Sequence, residues 1–210
     1  MPDEPFVITI SHQLGSGGAY LGNVLSKRLG MPFIDREILK QVADQLNLSE
    51  AALENREERM SSFWETFARM AMFSNPQVSL VASPYLPSDQ DLFQLESEYI
   101  KRIAEKASAI ILGRCGRYIL RDHPHHFSVM VHAELPARIK RVSGLFHVSQ
   151  ADAERLIEVN DKERASYIHT FTRQDWLNVR LYDLCVNTSR VGLDNTVELV
   201  CACVAPKAHG

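Results

Sequence analysis

No stretch of this 210-residue chain approaches the roughly 18–20 consecutive apolar residues that a membrane-spanning helix needs. Its first residues, "MPDEPFVITI", carry neither a basic region nor a long apolar run, so no secretory signal is legible and a cytoplasmic location is the expectation. Positive charge is in deficit: 23 lysines and arginines face 26 acidic residues, a formal charge of −3. No global basic field argues for nucleic acid or an anionic membrane as a partner. Cysteine is scarce. Cys115, Cys185, Cys201 and Cys203 show no CxxC pair, and the last two, in a helix-like segment, point about 200° apart round its axis. Reduced, buried thiols are expected. "HPHHF" at 123–127 has no acid or cysteine at ligand spacing and reads as a surface loop entering a strand. No Ser-His-Asp or paired-carboxylate spacing is visible either. What remains is an ordinary globular composition, 45% apolar and 23% charged, enough for one large domain with a full core.

Along the chain, apolar patterning alternates between strand and helix. Phe6–Ser11 is alternating and β-branched, hence a strand. Leu21, Val24, Leu25 and Leu29 follow helical spacing, and Gly30 then Pro32 stop that helix. Further strands are expected at 32–35, 109–112, 127–133 and 182–188. Helices are expected at 36–46, within 49–75, at 92–107, from Leu135 and from Ser149 to Ile168. A closing helix at 195–204 is read with Asn195 and Glu198 as its capping pair. Residues 75–89 carry three prolines and read as a long loop. The fold class is therefore α/β: a three-layer sandwich around a five-stranded parallel sheet, with ligands expected outside the carboxyl ends of the strands.

The first such end is "FVITISHQLGSGGAYLG" at 6–22, a strand, a glycine cluster and a helix start. Unpaired amides at a helix start bind anions, and glycine lets the main chain approach them. A full phosphate-binding loop would read GxxxxGK[ST]; here His12 stands at the leading glycine and Gly18 at the lysine. A dinucleotide fingerprint fits Gly15 and Gly17, with Asp35 at the required distance, but puts Tyr20 at its third glycine. A ligand-free glycine turn is the third reading, and the loop alone leaves all three open.

Arginines at the other strand ends favour phosphate. Arg114 and Arg117 follow the third strand, and Arg138 and Arg141, three apart, share a helix face after the fourth. Asp161 and Arg164 repeat that spacing. Each alone reads as a solvated surface charge, and Glu134–Arg138 as a mere i,i+4 pair, but guanidinium forks in this number suit phosphate oxygens. Cys115, between two arginines, is a thiol of depressed pKa if they converge on it and a core thiol otherwise, the second being preferred. Phe63, Trp64, Phe67, Met70, Met72 and Phe73 fit either a buried helix or a homodimer interface through 59–73.

At this point the chain resembles the cytidylate-kinase-like branch of the P-loop nucleoside monophosphate kinases. The matching pieces are "ITISHQLGSGGAYLGNVLSKRLGMPFIDREIL", "ILGRCGRYIL", "VHAELPARIKRV", "DKERASYI" and "YDLCVNTSRVGLDNTVELV", in that order. The resemblance implies a P-loop NTPase type of fold over 1–210, a helical acceptor-site insert at 47–100 and lid helices at 135–172. It implies transfer of phosphate from ATP to (d)CMP or a related monophosphate, with magnesium. Gly15, Ser16, Gly17, Gly18 and Ala19 would hold the donor's phosphates. Asp35 and Arg36 would lie near the acceptor and Arg114 at its phosphate. Arg138 and Arg141 would belong to the lid, Asp161 would stand near the acceptor base and Arg164 near the phosphate in transfer. Thr188 and Ser189 would sit near the donor base. Two departures stand out: no lysine at Gly18, and Tyr20 where a hydroxyl residue is expected two positions later. Magnesium would need Ser16, an acid such as Asp35, or mainly water and phosphate as ligands. A nucleotide-binding regulatory protein with little or no phosphotransfer is the alternative.

Overall fold

The computed structural model describes residues 4–34 and 89–204. The expectations that fall on Asp35, Arg36, the helices of 36–46 and 49–75, the three-proline loop and the apolar stripe of 59–73 lie outside the described residues.

Five strands form one parallel sheet: β1 (Val7–His12), β2 (Phe33–Ile34), β3 (Ala109–Leu112), β4 (His126–His132) and β5 (Leu184–Asn187). Their spatial order is β2-β3-β1-β4-β5, so the first strand is central. Val7 pairs with Ala109 on one side and His126 on the other. All five expected strands are present, each within a residue or two of its expected bounds.

Helices cover both faces, as period-two side-chain alternation requires. On one face Ile8, Ile10, Ile110, Leu112, Val129 and Val131 meet Leu21 and Leu25 of α1 (Gly18–Leu29). The same cluster takes in Val197 and Val200 of the last helix. On the other face Val7, Ala109 and Ile111 meet Ile100 and Ala104 of α2 (Asp89–Lys106), with Cys115 and Ile119 of the turn that follows β3. A short α3 (Gly116–Ile119) completes that turn.

After β4 come two longer helices, α4 (Leu135–Phe146) and α5 (Gln150–Thr172). Ser149 caps α5, accepting from the amide of Asp152 at 3.1 Å and donating to its carboxylate at 2.6 Å, as expected for an acid at the third position. Leu14 of the glycine loop packs with Val142 of α4 and Ala153, Leu156 and Ile157 of α5 in a separate apolar cluster. The pair is thus seated on the loop itself. The chain ends in α6 (Thr188–Val191) and α7 (Leu193–Val204). The last helix starts two residues earlier than expected. Asn195 lies inside its first turn and donates to Val191 O at 2.9 Å, while Glu198 pairs with Arg28, so these two do not form the capping pair. Among the described residues no helix is long and apolar enough to cross a membrane.

Candidate functional site

The site is built on the turn between β1 and α1, at the carboxyl edge of the central strand. Gly15 (φ 78°) and Gly17 (φ 94°) take left-handed conformations that L side chains rarely adopt. Leu21 N is the first amide of α1 to reach an intrahelical acceptor, Gly17 O at 3.0 Å. The amides of Gly18, Ala19 and Tyr20 therefore stand at the positive end of the helix dipole with no intrahelical acceptor. Gly17 occupies the N-cap and has no side chain to satisfy them. The turn thus presents an array of donors suited to an anion.

Its shape is held from beneath by hydroxyls. Ser16, fully buried, places Oγ 2.7 Å from Gln13 O and 3.0 Å from Val131 O. Its own carbonyl accepts from Thr188 Oγ1 at 2.7 Å, which ties the start of α6 to the loop. Ser189 donates to Asn187 Oδ1 at 2.6 Å and accepts from the Glu134 amide at 3.2 Å.

Three arginines from α4 and α5 reach the loop. Arg138, 5% exposed, donates through Nε to Leu14 O at 2.7 Å and through its second nitrogen to Asp161 Oδ2 at 2.6 Å. Asp161 also accepts from the Leu14 amide at 3.3 Å. Arg141 donates to Gly15 O, and Arg164 donates to His12 O while its guanidinium lies 5.7 Å from the centre of the buried Trp176 ring. Burial holds Arg141 below the usual guanidinium pKa. Arg138, Arg141, Asp161 and Arg164 are thereby brought together on residues 12–15.

His12 was visible in the sequence only as the residue replacing a glycine. A Cβ placed on Gly18 would lie 2.5 Å from both Cβ and Cγ of His12 and 2.9 Å from Cδ2. Its Nδ1 is buried without a hydrogen bond among the described residues. Burial first, then the Arg164 and Arg138 charges, hold its pKa well below the usual value, so the imidazole is neutral.

A second polar group lies at the end of β3. Arg114 and Cys115 both sit at φ 53°. Arg114 faces Glu96 Oε1 at 3.4 Å, and Glu96, 1% exposed, accepts from Tyr167 Oη at 3.2 Å. The sequence offered no signal for Glu96: on an amphipathic helix it reads as one more exposed acid. Cys115 is buried, and desolvation with the nearby Glu96 charge pushes its thiol up to about 12. The depressed-pKa reading of this cysteine is therefore overturned, because burial and the carboxylate outweigh Arg114. Arg117 turns aside to donate to Gln174 Oε1 at 2.9 Å.

Magnesium finds little here. Ser16 is enclosed, Tyr20 Oη donates to Asp194 at 2.6 Å, and the described residues hold no group of three side chains able to take a metal ion. Asp35, the acid expected to serve, lies outside the described residues, and Ser16, the other expected side-chain ligand, is enclosed, so no step below runs through magnesium.

A five-stranded parallel sheet with its glycine turn at the end of the central strand, and helices on both faces, makes an α/β fold that resembles the P-loop kinases. The chain belongs to the cytidylate kinase-like family, whose profile matches residues 7–190. The fold is shared with a crystallised uncharacterized protein from Eubacterium ventriosum ATCC 27560 (TM-score 0.68, 20% identity, covering 95% of this chain and 98% of that one). It is also shared with a gluconokinase from Sinorhizobium meliloti 1021 (TM-score 0.55, 16% identity, 98% and 94% covered). A shikimate kinase from Bacteroides thetaiotaomicron is similar too (TM-score 0.50, 12% identity, 95% and 98% covered). No curated protein matches the sequence.

Proposed function

We propose that this chain is a nucleoside monophosphate kinase-like phosphotransferase that moves the γ-phosphoryl group of ATP to (d)CMP or a related monophosphate. The observation that carries the reading is the convergence of Arg141 and Arg164 on the carbonyls of Gly15 and His12, beside the amides of Gly18 to Tyr20, which have no intrahelical acceptor. In the proposed reaction an acceptor phosphate oxygen attacks the γ-phosphorus. The bond from phosphorus to the β–γ bridging oxygen breaks, and that oxygen leaves on ADP with the electron pair. An acceptor phosphate already ionised needs no base.

In such transfers catalysis is mostly positioning and charge stabilisation. The loop amides would hold the β-phosphate, with Arg141 and Arg164 exchanging a carbonyl for the γ-phosphate oxygens. Arg138 and Asp161 would position the loop rather than touch phosphate, since each is already engaged with the other and with Leu14. Arg114, set by Glu96, would meet the acceptor phosphate. Thr188 and Ser189 would stand beside the donor nucleoside, and α4 with α5 would act as the lid.

The second reading is a nucleotide-binding regulatory protein. It is favoured by the engaged hydroxyls of Ser16 and Tyr20, which leave the loop without an accessible magnesium hydroxyl. A coupled assay over a panel of monophosphates, run beside calorimetric titration of ATP with and without magnesium, separates the two. Turnover supports the kinase; binding without turnover supports the regulator.

A further inference from the structure

The lysine of an ordinary phosphate loop leaves the chain at the position of Gly18. Gly18 is not among the left-handed glycines, so its backbone admits any residue. Space is what forbids one: a Cβ there falls 2.5 Å from Cβ and Cγ of His12. The Cβ of His12 is fixed by the main chain of β1, so the obstruction is not the far end of a flexible side chain that can swing clear. The carbonyl of that same His12 accepts from Arg164, which is steadied against Trp176. One residue therefore blocks a cation on the loop and holds a cation delivered from α5.

We propose that His12 and Gly18 are an exchanged pair: His12 fills the volume from which a loop lysine would start, and Arg164 supplies the charge that the lysine would have supplied. This rests on the phosphotransfer reading for its activity but not for its sterics. The His12 side chain is a positioning group here, acting through the exclusion at residue 18; Arg164 meets the main-chain carbonyl of residue 12, which His12→Gly retains. A neutral ring whose buried Nδ1 has no partner among the described residues fits that role, since it adds no third positive charge beside Arg164 and Arg138.

The test moves the cation back. In the natural background Arg164→Ala should lower kcat about 10²–10³-fold, the usual effect of removing one contact that stabilises the transferred charge. Gly18→Lys alone should disrupt the loop and abolish ATP binding. His12→Gly with Gly18→Lys should recover turnover, and Arg164→Ala added to that pair should then lower kcat less than 10-fold. An equal loss in both backgrounds, or normal ATP binding by Gly18→Lys with His12 in place, overturns the proposal.

A stability cycle tests the sterics even if no monophosphate is turned over. Gly18→Ala should lower Tm by roughly 3 °C or more with His12 present, and should be neutral or stabilising beside His12→Gly. The same shift in both backgrounds refutes the exchange. Absence of turnover by the natural chain counts against the phosphotransfer reading alone.

Discussion

Arg138 and Asp161 form one ion pair and between them hold both peptide groups of a single loop residue: Arg138 donates to Leu14 O at 2.7 Å, and Asp161 accepts from Leu14 N at 3.3 Å. The pair closes on itself at 2.6 Å, with Arg138 almost fully buried. Two helices separated by a turn thus share one grip on the glycine loop. Removing Asp161 leaves the Arg138 guanidinium buried and uncompensated, which costs about 3–5 kcal/mol, whereas Asp161 is 22% exposed and solvent compensates it in part when Arg138 is removed. Asp161→Asn is expected to lower unfolding free energy in urea by several kcal/mol, and Arg138→Met by less. They should weaken ATP binding through the loop, and should be strongly non-additive in combination.

Gly15 and Gly30 separate two demands on glycine. Both have positive φ, but a Cβ at Gly30 meets nothing within 4 Å, whereas at Gly15 it would lie 2.8 Å from Val142 Cγ2 and 2.9 Å from the Arg138 carbonyl. Gly30→Ala is expected to cost only the backbone strain, about 1–2 kcal/mol, with ATP affinity unchanged. Gly15→Ala should cost more and push α4 off the loop, so that ATP affinity falls with stability. Equal effects of the two variants in melting and titration contradict this.

Glu96 and Arg114 carry the corresponding prediction for the proposed acceptor contact. Glu96→Gln removes the charge that faces Arg114 across 3.4 Å while keeping an acceptor for Tyr167. Steady-state kinetics should show the KM for the monophosphate rising several-fold while the KM for ATP stays within twofold. A change confined to ATP contradicts the assignment of Arg114.

Acid should destabilise the fold before carboxylates are fully protonated. His126, partly buried at the start of β4 with Nε2 2.7 Å from Thr9 Oγ1, has its pKa lowered to about 4, chiefly by desolvation. The unfolded chain binds a proton near pH 6.5 that the native chain refuses until about pH 4. Stability is therefore present above pH 6.5 and falls as pH drops through that window, by about 1.4 kcal/mol per pH unit and about 3 kcal/mol in full. His12, shifted the same way by burial and two arginines, adds in the same direction. His126→Gln should flatten the pH dependence of urea midpoints by one proton; an unchanged slope contradicts it.

Much of this architecture was legible because it rests on local pattern. Alternation marked β1, the glycine cluster marked the turn, and Ser149 with Asp152 marked the start of α5. The start of α7 was misread because an Asn-x-x-Glu spacing is as common one turn inside a helix as at its cap. Partnerships over long separations were not legible. Tyr20 finds Asp194, Thr188 finds Ser16, and Glu96 finds Tyr167 only once the sheet has set their elements side by side. The arginine cluster was visible as a tendency of strand ends. That Arg138 clamps the loop through Asp161, while Arg141 and Arg164 reach it directly, depended on how α4 and α5 pack.

Calorimetric titration of ATP into the natural chain and into Arg141→Ala and Arg164→Ala, with folding verified by circular dichroism, tests the anion site most directly. Saturable binding that weakens at least 10-fold in each variant is the expected result. Absence of binding to the natural chain, or equal affinity in all three proteins, would contradict a phosphate site built from the β1–α1 amides and these two guanidinium groups.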